Sequence, residues 1–133
     1  MNRESVQAWL DRYLEAWRTY DPALIGELFS EGAEYRYHPW DEPIRGRDAI
    51  VASWLAPGGP ASGRDEPGTY DGRYEPFVVQ GERAVAVGHS RYWTDAGRSA
   101  LDQVYDNAWL LEFDSAGRCR SFTEFFMQRP APG

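Results

Sequence analysis

Apolar side chains at Val6, Trp9, Leu10, Tyr13, Leu14 and Trp17 recur at the spacing of one helical face, with Arg, Asp and Glu between them. This spacing predicts a first helix from about Glu4 to Tyr20. Asp21-Pro22 then supplies an N-cap followed by proline at the first helical position, and Leu24, Ile25, Leu28 and Phe29 form the stripe of a second, shorter helix. Glu34 to His38 alternates as a strand and is stopped by Pro39. The turn-rich run from Asp41 to Gly46 leads into a third helix carrying Ile50, Trp54 and Leu55, which Pro57 ends. Pro57 to Gly68 holds three Pro and four Gly with hardly an apolar side chain, so a mobile loop is expected there, suited to covering a pocket as a lid.

After Gly68 the helical period gives way to alternation. Four strand-like runs are separated by Gln80-Gly81-Glu82, Asp95-Ala96-Gly97 and Asp114 to Gly117, the pattern of an antiparallel meander. A tight turn at Asp114 to Gly117 would place Asn107 opposite Glu124, Trp109 opposite Phe122 and Tyr105 opposite Phe126, all on one face. The opposite face carries Ala108, Leu110, Thr123, Phe125 and Met127, too apolar for water, so a second buried contact is expected there. In the preceding strand Val85, Val87, His89 and Arg91 share a parity, and this bulky set is expected to face the helices, with Ala84, Ala86, Gly88 and Ser90 behind. Asp102, Asp106 and Glu112 have the parity opposite to Asn107 and Trp109 and fall outside the site.

The resulting expectation is an α+β fold with three helices on a curved, mainly antiparallel sheet, one domain over residues 1–128 and a frayed tail over 129–133. Its 21 acidic and 14 basic residues, the latter all Arg, give a net charge of −7 without a basic run, which disfavours nucleic acid and anionic membrane as partners. The N-terminal residues lead straight into an amphipathic pattern, so neither a secretion signal nor a membrane span is expected, and the cytoplasm is the expected compartment. No Cys/His spacing resembles a metal site, and Cys119 reads as a packing residue. Six Trp, eight Tyr and six Phe supply the walls of either a core or a pocket.

Arg12-Tyr13, Leu28-Phe29-Ser30-Glu31-Gly32-Ala33, His38-Pro39 through Glu42-Pro43 to Gly46, and Phe113-Asp114-Ser115-Ala116-Gly117-Arg118, in this order of elements, resemble the nuclear transport factor 2-like superfamily. Its members include ketosteroid isomerase, scytalone dehydratase, limonene-epoxide hydrolase and the SnoaL-like polyketide cyclases, as well as non-catalytic binding and dimerisation modules. The resemblance implies a cone-shaped domain enclosing a pocket, and a homodimer formed through the outer sheet face. It places Tyr13 at the isomerase's oxyanion-hole tyrosine, His38 near its general base, Trp109 at its protonated carboxylic acid and Trp54 at a pocket tyrosine. Imidazole can take a proton near neutrality, and an indole N–H donates without ionising.

His89, Asn107 and Glu124 on consecutive strands, with Arg91 beside His89, make a second constellation independent of that resemblance. Burial of Glu124 among Trp109, Phe122 and Phe126 would raise its pKa, whereas an ion pair with Arg91 would make it structural. The leading expectation is a cofactor-independent, metal-free enzyme moving a proton on a small, largely apolar carbonyl or polyketide-like compound. His38, Tyr13, Trp109 and Glu124 would act in the chemistry. Trp54, Val87, His89, Arg91, Tyr105, Asn107, Phe122 and Phe126 would hold the substrate. The alternative is a non-catalytic ligand-binding or dimerisation module of the same fold.

Overall fold

The first helical stripe becomes α1 (Arg3–Thr19), opened by a capping box in which the Asn2 side chain accepts from the Ser5 N–H and Ser5 Oγ accepts from the Asn2 N–H. It ends at Tyr20, in the left-handed region at φ 50°. Asp21 caps α2 (Pro22–Leu28) by accepting from the Ala23 N–H, as its sequence predicts. Phe29, the last residue of the expected second stripe, instead opens β1 (Phe29–Arg36), because its extended backbone pairs alongside Cys119. A two-residue strand, β2 (Ile44–Arg45), precedes α3 (Arg47–Leu55), and the meander follows as β3 (Tyr70–Gln80), β4 (Arg83–Trp93), β5 (Leu101–Phe113) and β6 (Cys119–Gln128). This computed structural model describes residues 1–56 and 65–130. Of the expected loop, residues 57–64 lie outside the described residues, as do 131–133 of the expected tail.

The three helices pack on a six-stranded, unclosed, curved sheet of order β2-β1-β6-β5-β4-β3, in which β1 and β6 run parallel and every other neighbouring pair antiparallel. Trp9, Phe29, Phe113 and Phe122 are fully buried between the layers, and the Trp9 indole N–H donates to the Leu28 carbonyl at 3.0 Å, satisfying its polar tip. Cys119 lies in the same core with its thiol pushed up to about 12 by burial, the behaviour of a packing residue. Arg129, expected in the frayed tail, extends the sheet edge: its N–H donates to the Val104 carbonyl and its guanidinium grips Asp106 at 2.6 Å.

Two sequence expectations about register change. The β5–β6 loop is wider than a tight turn, with the Asp114 N–H donating to the Arg118 carbonyl, and a bulge follows at Glu112/Phe113. Trp109 therefore sits opposite Glu124, Asn107 opposite Phe126 and Leu111 opposite Phe122. The displacement is two residues in all, so every side chain keeps its face. The face of β4 is reversed. Ala84, Ala86, Gly88 and Ser90 point inward, and Val85, Val87, His89 and Arg91 outward. The cause is cross-strand: Trp109 faces Ala86, Asn107 faces Gly88 and Leu111 faces Ala84, so the small residues leave room for the large ones of β5.

Candidate functional site

Between the helices and the concave sheet face lies a cavity of about 350 Å³. Its aromatic rim forms a chain of ring contacts from Trp17 to Tyr92 at 6.2 Å, Tyr92 to Tyr105 at 5.8 Å, Tyr105 to Phe126 at 5.6 Å and Phe126 to His38 at 5.4 Å. Deeper in, Tyr13 packs edge-on to Trp54 at 4.9 Å and tilts against Trp109 at 4.5 Å, while Trp109 stacks on Tyr74 at 3.9 Å. These side chains come from α1, α3 and four strands, so the cavity exists only in the assembled fold.

Glu124 projects into this aromatic space from β6. Its Oε2 accepts from the Trp109 indole N–H at 2.9 Å, and its Oε1 has no hydrogen-bond partner among the described residues. Burial pushes its carboxyl up to about 7, while the Trp109 hydrogen bond and the nearby His38 pull the other way without cancelling the shift. His38 sits in the bend just after β1, with Nδ1 2.8 Å from Asp41 Oδ2, and the same oxygen accepts the His38 backbone N–H at 3.1 Å. A carboxylate on Nδ1 holds the imidazole with its proton there and its lone pair on Nε2.

Tyr13 and Tyr35 share a hydrogen bond at 2.9 Å, and burial drives both phenols well above their ordinary pKa. The Trp54 indole N–H is buried without a partner among the described residues. Asn107 donates from Nδ2 to Tyr74 Oη and to Ser90 Oγ, leaving Oδ1 unpartnered among the described residues. Near the C-terminal end of α1, Asp65 Oδ2 accepts from Trp17 Nε1 at 3.1 Å and from Tyr20 Oη at 3.3 Å. Among the described residues no cluster of His, Cys, Asp and Glu could hold a metal ion, and no helix is long and apolar enough to cross a membrane.

Of the residues singled out from sequence, Tyr13, His38, Trp54, Tyr105, Asn107, Trp109, Glu124 and Phe126 line this cavity. Phe122 lies behind it, fully buried and stacked on Tyr35 at 4.4 Å. Val87, His89 and Arg91 are on the outer face, where Arg91 pairs with Asp71 at 2.7 Å rather than with Glu124, so neither of the proposed structural partners reaches the carboxylate. Trp109 spends its N–H on Glu124, not on open space. Sequence reasoning missed Tyr74, Ser90 and Tyr92, which the reversed β4 face and its partner strand bring inward, and also Asp41 and Asp65. The His38-to-Asp41 spacing was a usable signal for the first acid; Asp65, inside a Pro/Gly-rich run, offered none.

The family model described as "SnoaL-like domain" matches residues 10–121. Among solved structures, the chain is similar to an NTF-2-like protein of unknown function from Burkholderia xenovorans, with TM-score 0.65, 19% identity, and 98% of this chain and 89% of that one covered. An NTF2-like protein of unknown function from Mesorhizobium loti gives TM-score 0.61 and 26% identity over 94% of this chain and 93% of that one. A protein from Sphaerobacter thermophilus gives 0.62 and 18%, covering 91% and 94%. No curated protein matches the chain.

Proposed function

The chain belongs to the SnoaL-like domain family, and on that premise we propose that its cavity is the active site of a cofactor-independent enzyme, moving a proton on a small, largely apolar carbonyl or polyketide-like compound. The observation that carries this reading is Glu124: a carboxyl pushed up to about 7 by burial, beside a histidine whose tautomer is held by Asp41. Desolvated acids and oriented imidazoles are what general acid–base catalysis near neutrality requires.

In this reading His38 Nε2 takes a proton from carbon next to the carbonyl. Glu124, populated in both forms near neutrality, exchanges the second proton. The oxygen that gains charge is met by Trp54 Nε1, which has no other described partner, and by the Tyr13 hydroxyl, free to donate while it accepts from Tyr35. Trp109 acts through Glu124 by fixing its orientation, a change from the direct role the resemblance implied. Isomerisation, cyclisation and dehydration all share this proton-transfer step.

The test follows deuterium entering the position next to the carbonyl of simple cyclic ketones in D₂O. The chain should accelerate exchange, His38→Ala should slow it by about 10²–10⁴-fold with little change in affinity, and Trp54→Ala should weaken binding first. Ketones bound without exchange, with His38→Ala changing affinity alone, would mark a binding module.

A further inference from the structure

The cavity's charges are one-sided. Its described lining includes the carboxylates of Asp65 and Glu124 but no arginine, although all 14 basic residues of the chain are Arg. The nearby arginines are engaged outside: Arg91 and Arg98 converge on Asp71, and Arg98 lies over the Trp93 ring at 4.3 Å. The two acids differ in their surroundings. Glu124 has His38 close enough to stabilise its anion, whereas Asp65 is stabilised only by neutral donors, the Trp17 indole and the Tyr20 phenol, both on Oδ2. Burial raises the Asp65 carboxyl above the ordinary range, and no cation among the described residues opposes that shift.

Around Asp65 the wall is π-face. Trp17 contacts Tyr70 at 4.4 Å and Tyr92 at 6.2 Å, and Tyr70 contacts Tyr20 at 6.3 Å. Aromatic faces with a carboxylate attract a diffuse organic cation, which gains from ring quadrupoles and charge together. They repel carboxylates and phosphates, and they lack the converging oxygens a hard metal ion needs. Resting on the reading of the cavity as a substrate site, we propose that the Asp65 end is a cation seat. It takes the ammonium group of a substrate whose reacting carbon lies at the His38–Glu124 end. The enzyme's substrates are then amine-bearing carbonyl compounds rather than neutral or acidic ones.

The test uses three probes with one skeleton and different charge, 2-phenylethylammonium, 2-phenylethanol and phenylacetate, titrated at neutral pH against tryptophan fluorescence of the full chain. The ammonium should bind about tenfold tighter than the alcohol, with phenylacetate weakest. Asp65→Asn keeps an acceptor for Trp17 and Tyr20 but loses the charge, so it should erase the ammonium preference while alcohol affinity changes less than about twofold. Glu124→Gln should leave the preference in place. An alcohol or carboxylate that binds as tightly as the ammonium to the unaltered chain overturns the inference and leaves the substrate-site reading standing. So does a preference lost in Glu124→Gln but not in Asp65→Asn. Silence of all three probes up to about 10 mM, a bound of barely 3 kcal/mol, counts against the ligand site itself.

Discussion

Glu124 carries an electrostatic penalty that a surface glutamate does not. Because its folded-state pKa is raised, from 4.5 to about 7, its protonated form is the one the fold favours. The contribution is therefore fully present below the unfolded pKa and is lost as pH rises through about 7. The shift sets a ceiling of roughly 3 kcal/mol, and water reaching the open cavity screens this to about 1–2 kcal/mol. Glu124→Gln, which cannot ionise, should gain that amount relative to the unaltered chain between about pH 4 and pH 8.5, read from urea midpoints at each pH. Parallel stability curves would show that the carboxyl is well solvated. His38 and Glu124 were legible as residues of interest because a strand-end histidine before proline and an acid among aromatics are uncommon pairings. Asp41 and Asp65 look like ordinary loop acids until the fold brings them to His38 and Trp17.

At the scale of elements, β4 shows what a strand's own alternation cannot decide. Its bulky set reads as the buried one, yet the face is chosen by the partners: Trp109 needs Ala86 opposite, and Tyr74 needs Gly88. A Cβ at Gly88 would stand 2.0 Å from the Arg73 carbonyl oxygen and 2.6 Å from the Tyr74 ring, and that ring is the one stacked on Trp109. Gly88→Ala should therefore cost about 1–3 kcal/mol or more in urea denaturation, whereas Val87→Ala on the outer face should cost less. The helices and the meander were readable because periods of 3.6 and 2 persist over many residues. The hairpin register was not, since neither the widened Asp114–Arg118 loop nor the bulge beside Phe113 leaves a mark in the alternation. The pocket face of β5 and β6 survived that misreading only because the displacement was even.

The whole molecule presents two contrasting faces of one sheet, a concave side that holds the cavity and a convex side where Leu110, Phe125 and Met127 are 45%, 41% and 76% exposed. Isolated apolar side chains on a surface are ordinary, but these three share a face with Val85, Ala108 and Thr123 on adjoining strands. We expect this face to be covered by a second copy of the chain, so sedimentation at tens of micromolar should report a dimer, and Leu110→Glu with Phe125→Glu should convert it to a monomer without unfolding. A monomer before substitution rules the contact out. The catalytic account depends on the folded molecule in another way, because His38, Trp109 and Glu124 meet only when β1, β5 and β6 are assembled. The most direct measurement is the pH titration of the Glu124 side-chain carboxyl by ¹³C NMR, in the folded chain and in urea. The account predicts a midpoint of about 7 when folded, returning to about 4.5 when unfolded. A folded midpoint at or below 4.5 would contradict it, since the carboxylate would then be a stable anion with no proton to exchange at neutral pH.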